Sequence, residues 1–122
     1  QNKMSFARVV NKAGKVVEPS LASFQAAAAS AKWDSVPGFG EILTDEPGDG
    51  AWPIAGATFI LMHKKPVDPV AAKEALKFFE WAYANGGKMA SDLDYVPMPN
   101  DVVALVKKEW AKITSADGKP IN

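Results

Sequence analysis

The chain has 122 residues, 48% of them hydrophobic, which is enough for a core and is one domain's worth of chain at most. Lys+Arg and Asp+Glu are both 14, so no basic surplus supports nucleic-acid binding and no polybasic run supports a membrane surface. The absence of cysteine excludes disulfides, thiolate catalysis and Cys-based zinc sites, and no apolar run approaches the roughly 20 residues of a membrane span.

In chain order, the opening Gln1-Asn-Lys3, without an initiator Met or a signal peptide, reads as the start of an internal or mature segment. Ser5–Val10 is a short strand candidate, Asn11–Lys15 a turn in which Gly14 takes positive φ, and Val16-Val17 a returning strand. Pro19 suits a first helical position, and the alanine-rich stretch after it predicts a helix over Pro19–Ala31. Its apolar stripe includes Leu21, Phe24 and Ala28. From Lys32 to Gly50 prolines and glycines are dense, with only Glu41–Thr44 able to extend. A loop of that length is usually functional or a connection between lobes.

The stretch Asp49–Lys64 is the organising piece. A Gly48-Asp49-Gly50 turn and the Trp52-Pro53 pair lead into an apolar run from Ile54 to Met62. Such a run predicts a central strand at Ala55–Met62, buried on both faces and covered by helices. Asp68 and Pro69 then cap and open the strongest helix, Pro69–Ala84, ending at Asn85-Gly86-Gly87. Its inward face is Ala72, Ala75, Leu76, Phe79 and Tyr83, while Trp81 falls among Lys73, Glu74 and Lys77 on the other side. That placement reads as a half-exposed ring over lysine stems or a contact to a second layer. A short helix over Lys88–Leu93, an extended Tyr95–Pro99 and a last helix from Pro99 or Asn100 to Ile113 follow. Ser115–Asn122 reads as a turn and a loose end.

The search for chemistry finds little. Asp45, Glu46 and Asp49 lack the alternating spacing and closing Glu of a calcium loop, and read as a solvated acidic turn. His63 is the single histidine, at the solvent end of the expected strand, with no Ser or Asp placed to serve it. Asp92 and Asp94 are two apart and would face different ways on a helix. The four tryptophans read as core rather than sugar platforms. Gly48-Asp-Gly50 lacks the length and the lysine of a phosphate loop. Of the three helix N-termini, those at Asp68 and Asp101 carry an acid that opposes an anion. Only the Ser20–Ser23 end is open to one. On residues alone this is an α/β piece without catalytic, metal or cofactor candidates.

The ordered set Ala51-Trp-Pro-Ile54, Thr58-Phe-Ile-Leu-Met-His-Lys64, Leu76-Lys-Phe-Phe-Glu-Trp-Ala-Tyr83 with Gly87-Lys88 and Ala90, and Leu93-Asp-Tyr-Val-Pro-Met-Pro99 with Val102-Val103 resembles the late part of periplasmic phosphate-binding proteins, the PstS family. Phe24, Ala27-Ala28 and Trp33 also resemble it, so the likeness covers nearly the whole chain. The resemblance implies the C-terminal part of a two-lobed periplasmic-binding-protein fold of type II. Residues 1–50 would belong to one lobe plus the lobe-to-lobe connection, and 51–122 to the other. It implies a non-enzymatic receptor, periplasmic, that hands inorganic phosphate to the membrane subunits of an ABC importer. A receptor for another oxyanion or small solute is the alternative, and a small hydrolase using His63 a third reading. The family's phosphate ligands are placed upstream of Gln1, so none is carried onto this chain, Arg8 and Asp49 included. Two expectations follow. The chain alone does not hold phosphate tightly, and its unpaired strand edges drive self-association.

Overall fold

A computed structural model describes residues 4–121. Residues 1–3 and 122, and with them the reading of the opening Gln1-Asn-Lys3, lie outside the described residues. The chain forms two compact units that meet in sequence at Ala57 and Thr58.

In the first unit, β1 (Val9–Val10) and β2 (Val16–Val17) pair antiparallel, with Val9 opposite Val17 and Val10 opposite Val16. The first strand is shorter than the expected Ser5–Val10, because β2 offers only two rungs before Pro19, which has no N–H to extend the ladder. Gly14 closes the turn at φ 73°, donating to the Asn11 carbonyl at 2.8 Å. Helix α1 runs Leu21–Ser30, starting two residues later than expected because Ser20, not Pro19, takes the cap. Ser20 Oγ accepts from the Ser23 N–H at 3.2 Å while the Ser20 N–H donates to Ser23 Oγ at 2.9 Å, a reciprocal cap.

Beyond α1 the long loop is more ordered than its glycines and prolines predict. Two 3-10 turns, Trp33–Ser35 and Pro37–Phe39, fold it back. Trp33 is 4% exposed, and its Nε1–H donates at 2.7 Å to Ala28 O, one of the carbonyls a helix end leaves open. Thr44 bridges Ile54, so the expected extended piece at Glu41–Thr44 is reduced to one rung. The core of this unit is Ala27, Ala28, Trp33, Leu43, Ala51, Trp52 and Ala55, with Phe24 tilted against Trp52 at 6.0 Å; Leu21, expected inside, is 49% exposed.

Gly48 sits tightly against α1. A Cβ there would lie 2.2 Å from Ser30 Oγ, which itself donates to Ala26 O at 2.7 Å. Gly48→Ala is expected to destabilise by about 1–2 kcal/mol through this overlap. Adding Ser30→Ala should recover most of the loss, read as a coupling in a double-mutant cycle of urea midpoints.

The second unit holds three helices. Helix α2 (Pro69–Asn85) begins where Asp68 Oδ1 accepts from the N–H groups of Val70 and Ala71, both at 3.0 Å. It stops at Gly86, where a Cβ would meet Ala82 O at 2.6 Å. Helix α3 (Gly87–Asp92) follows at once, and α4 (Asn100–Trp110) starts after Pro97 and Pro99, which hold the chain extended. Helix α4 ends before the expected Ile113, in a turn that lets the Ile113 N–H donate to Trp110 O. The core is Ala72, Leu76, Ile113 and Ile121, with Met62 and Trp110 against it. The expectation of a loose C-terminal end is corrected. Thr114 bridges Pro120 around Gly118, at φ 83°, and brings Ile121 into that core.

The central strand is also corrected. Residues 55–63 form no strand, and within them only Ala55 is buried; Ile60 is 63% and Leu61 90% exposed. The physical reason is the lack of ladders. The paired strands among the described residues are β1 and β2, so the apolar run joins no sheet ladder. The described chain is thus a mixed helix and strand structure without a central strand covered by helices.

Candidate functional site

A shallow groove lies in the second unit, between α2 and α4. Leu76 and Trp110 floor it, and Lys73, Lys77, Glu80 and Lys107 rim it. Helical spacing places them there: residues 73, 76, 77 and 80 recur three and four apart on α2, and 107 and 110 on α4. The rim is self-neutralising. Lys107 Nζ meets Glu80 Oε1 at 2.9 Å and Lys77 Nζ meets Glu74 Oε1 at 2.7 Å. Tyr83 tilts against Trp110 at 6.1 Å, and burial pushes its phenol above the usual tyrosine value. The groove holds no nucleophile next to a base and no converging unpaired donors, so it reads as a helix seam with an ion-paired lip.

The acidic turn places Asp45 at positive φ, 58°, with Lys12 Nζ 3.9 Å from its carboxylate. Asp45 N–H donates to Pro53 O at 3.0 Å, which ties the turn to the Trp52-Pro53 segment. Glu46 titrates above its usual value, because partial burial disfavours its charge and Glu41 and Asp45 repel it. Among the described residues, no three acidic or histidine side chains converge as a metal site. With its folded pKa raised, the neutral Glu46 contributes stability that is present below the ordinary Glu value and is lost as pH rises through the folded one. Glu46→Gln is therefore expected to raise the urea midpoint at pH 7 and to lose that advantage near pH 4.

The Ser20–Ser23 helix end is occupied from within. Both hydroxyls serve the reciprocal cap, and Ser23 Oγ, in a residue 7% exposed, donates to Glu18 O at 2.7 Å. His63, Lys64 and Lys65 are exposed in succession. Asp92 is bound by Lys88 at 2.7 Å, and Asp94, just beyond the end of α3, takes a positive φ of 61°. Arg8 meets Glu18 at 3.1 Å on the exposed hairpin. Trp81 is 49% exposed, as a half-exposed ring, and stacks on Phe78, itself 60% exposed, at 6.2 Å.

One residue carries more structure than its sequence position signals. Asn11 is 5% exposed, and its Nδ2 donates to the carbonyls of Gly48 at 3.2 Å, Asp49 at 2.8 Å and Ala51 at 3.1 Å. Its Oδ1 accepts from the Lys15 N–H at 2.9 Å. The side chain thus clamps the hairpin turn to the Gly48–Ala51 turn, 37 to 40 residues away. The signal available beforehand was an Asn at a strand end, which local turn chemistry already explains.

No established protein-family profile matches the chain. Comparison with curated proteins gives a clear answer. The chain is 45% identical over 122 residues to phosphate-binding protein PstS of Pasteurella multocida, covering 99% of this chain and 36% of that protein. It is 46% identical over 110 residues to PstS of Haemophilus influenzae, covering 90% of this chain and 33% of that protein. With PstS of Xylella fastidiosa strain Temecula1 it shares 44% over 111 residues, 91% of this chain and 30% of that protein. The chain therefore spans about a third of the length of the curated relatives it matches. No helix among the described residues is long and apolar enough to cross a membrane. Identity at this level, sustained along nearly every residue, means that the chain belongs to the PstS family of phosphate-binding proteins.

Proposed function

We propose that this chain is the C-terminal part of a periplasmic receptor that captures inorganic phosphate and presents it to the membrane subunits of an ABC importer. The observation that carries the reading is the 45% identity to a PstS protein across 99% of the chain. In this reading the protein is a binder and not an enzyme, and it has a two-lobed fold of type II. Residues 1–50 belong to one lobe and the connection, and residues 51–122 to the other. The position of Trp52-Pro53 shortly before the division at Ala57 supports the assignment.

The phosphate-gripping groups lie outside these residues. Support comes from the chemistry of what is present. The hydroxyls at the α1 end are spent on capping, and Asp68 and Asp101 sit at the starts of α2 and α4. The single arginine is paired to Glu18 on the surface. A buried dianion needs aimed N–H and O–H donors and a guanidinium or helix end without competing acid.

The test is calorimetric titration of a PstS-length protein containing this chain, with phosphate, sulfate and a neutral sugar in parallel. Saturable binding of phosphate alone is expected. Sulfate binding without phosphate binding would replace the reading with that of a receptor for another oxyanion.

A further inference from the structure

We propose that Asn85 is a site of spontaneous deamidation, in which it forms a cyclic imide with Gly86 at a rate governed by the end of α2. Asparagine is among the thermolabile residues, and of the five in this chain Asn85 is the one followed by glycine. The helix stop requires that glycine, since a Cβ at position 86 would lie 2.6 Å from Ala82 O. The same missing Cβ leaves the Gly86 nitrogen unhindered as a nucleophile. In the reaction that nitrogen attacks Asn85 Cγ. The new N–Cγ bond closes the imide, the Cγ–Nδ2 bond breaks, and Nδ2 leaves as ammonia with the proton from the Gly86 N–H. Water then adds to either imide carbonyl and opens the ring, giving aspartate or its side-chain-linked isomer.

The helix end restrains the first step. Gly86 N–H donates to Ala82 O at 2.7 Å, and Gly86 O accepts from the Ala90 N–H at 2.9 Å. Asn85 lies within α2, and its Nδ2 donates to Trp81 O at 2.9 Å. Ring closure needs an Asn85 ψ outside the helical range, so the last turn must open first. Openings at helix ends are among the least costly of a protein's fluctuations. The other asparagines with described surroundings lack one requirement. Asn11 is 5% exposed with its amide bound to the carbonyls of Gly48, Asp49 and Ala51. Asn100 precedes Asp101, whose own side chain crowds the attacking nitrogen. Once formed, a carboxylate at position 85 cannot donate to Trp81 O and stands at the negative end of the α2 dipole, which loosens the turn further.

The experiment incubates this chain in buffer and in guanidinium chloride at one mildly alkaline pH, beside Asn85→Gln, and follows each by peptide mapping with mass spectrometry. In buffer the peptide carrying Asn85 should gain about 1 Da, as aspartate and isoaspartate together, before those carrying Asn11 or Asn100. In guanidinium the gain should come several times faster. Asn85→Gln keeps an amide donor but closes its larger ring far more slowly, so that peptide should stay unchanged. Circular dichroism verifies that this variant folds. Hydrogen exchange on the modified fraction should show the Gly86 amide less protected than in the parent. An Asn85 peptide unchanged in buffer, whatever guanidinium does, would overturn the proposal, as would earlier change at Asn11 or Asn100. Equal rates in buffer and guanidinium would overturn the control assigned to the helix end.

Discussion

Asn11→Ala is expected to lower the stability of the first unit by about 2–4 kcal/mol, although the residue touches no candidate binding group. Four polar contacts depend on this side chain, three from its amide N–H groups and one to its carbonyl. Gly48 O keeps a second partner in the Ala51 N–H, at 3.0 Å. The loss therefore falls on Ala51 O, in a residue 0% exposed, and on the Lys15 N–H. A buried acceptor left without a donor accounts for about 1–3 kcal/mol of the total. Asn11→Asp should be worse at neutral pH, since a carboxylate would face three carbonyl oxygens. Its burial raises the folded pKa, so that variant should regain stability as pH falls and the protonated carboxyl recovers one donor. Urea unfolding followed through Trp33 and Trp52 checks both, and a shift below about 0.5 kcal/mol for Asn11→Ala would refute the clamp.

Leu76→Ala is expected to cost the second unit about 2–5 kcal/mol. Leu76 is 3% exposed and lies in the small cluster with Ala72, Ile113 and Ile121, against which Met62 and Trp110 rest. So few buried side chains leave little material to collapse into the cavity, which places the loss in the upper half of that range. Leu61→Ala, at 90% exposure, should stay within about 0.5 kcal/mol of the parent. Since the four tryptophans divide evenly, Trp81 and Trp110 report on this unit and Trp33 and Trp52 on the other. Leu76→Ala should move only the transition seen by the former pair.

The helices were legible because local rules suffice for them. Asp68-Pro69 at one end and Gly86 at the other bound α2 to within a residue, and the Val102 to Trp110 stripe marked α4. Tertiary pairing was not legible. Thr58–Met62 has strand composition, but composition cannot supply the neighbouring ladder, and without it the run forms no strand. Ile121 joined the core through a turn at Gly118 that reads locally as a tail. The Asn11 clamp and the Trp33 hydrogen bond were invisible for the same reason, since their partners lie across the fold or at a helix end. The family, by contrast, was legible from ordered motifs that individually say little, and comparison with the PstS relatives bears it out.

The most direct measurement is titration of this 122-residue chain with inorganic phosphate in a calorimeter, beside a PstS-length protein that contains it. If its residues scaffold a ligand held by others, the longer protein saturates and this chain alone gives only heats of dilution. Tight, saturable uptake by the chain alone would contradict the account, because it would require the gripping groups to lie within this chain.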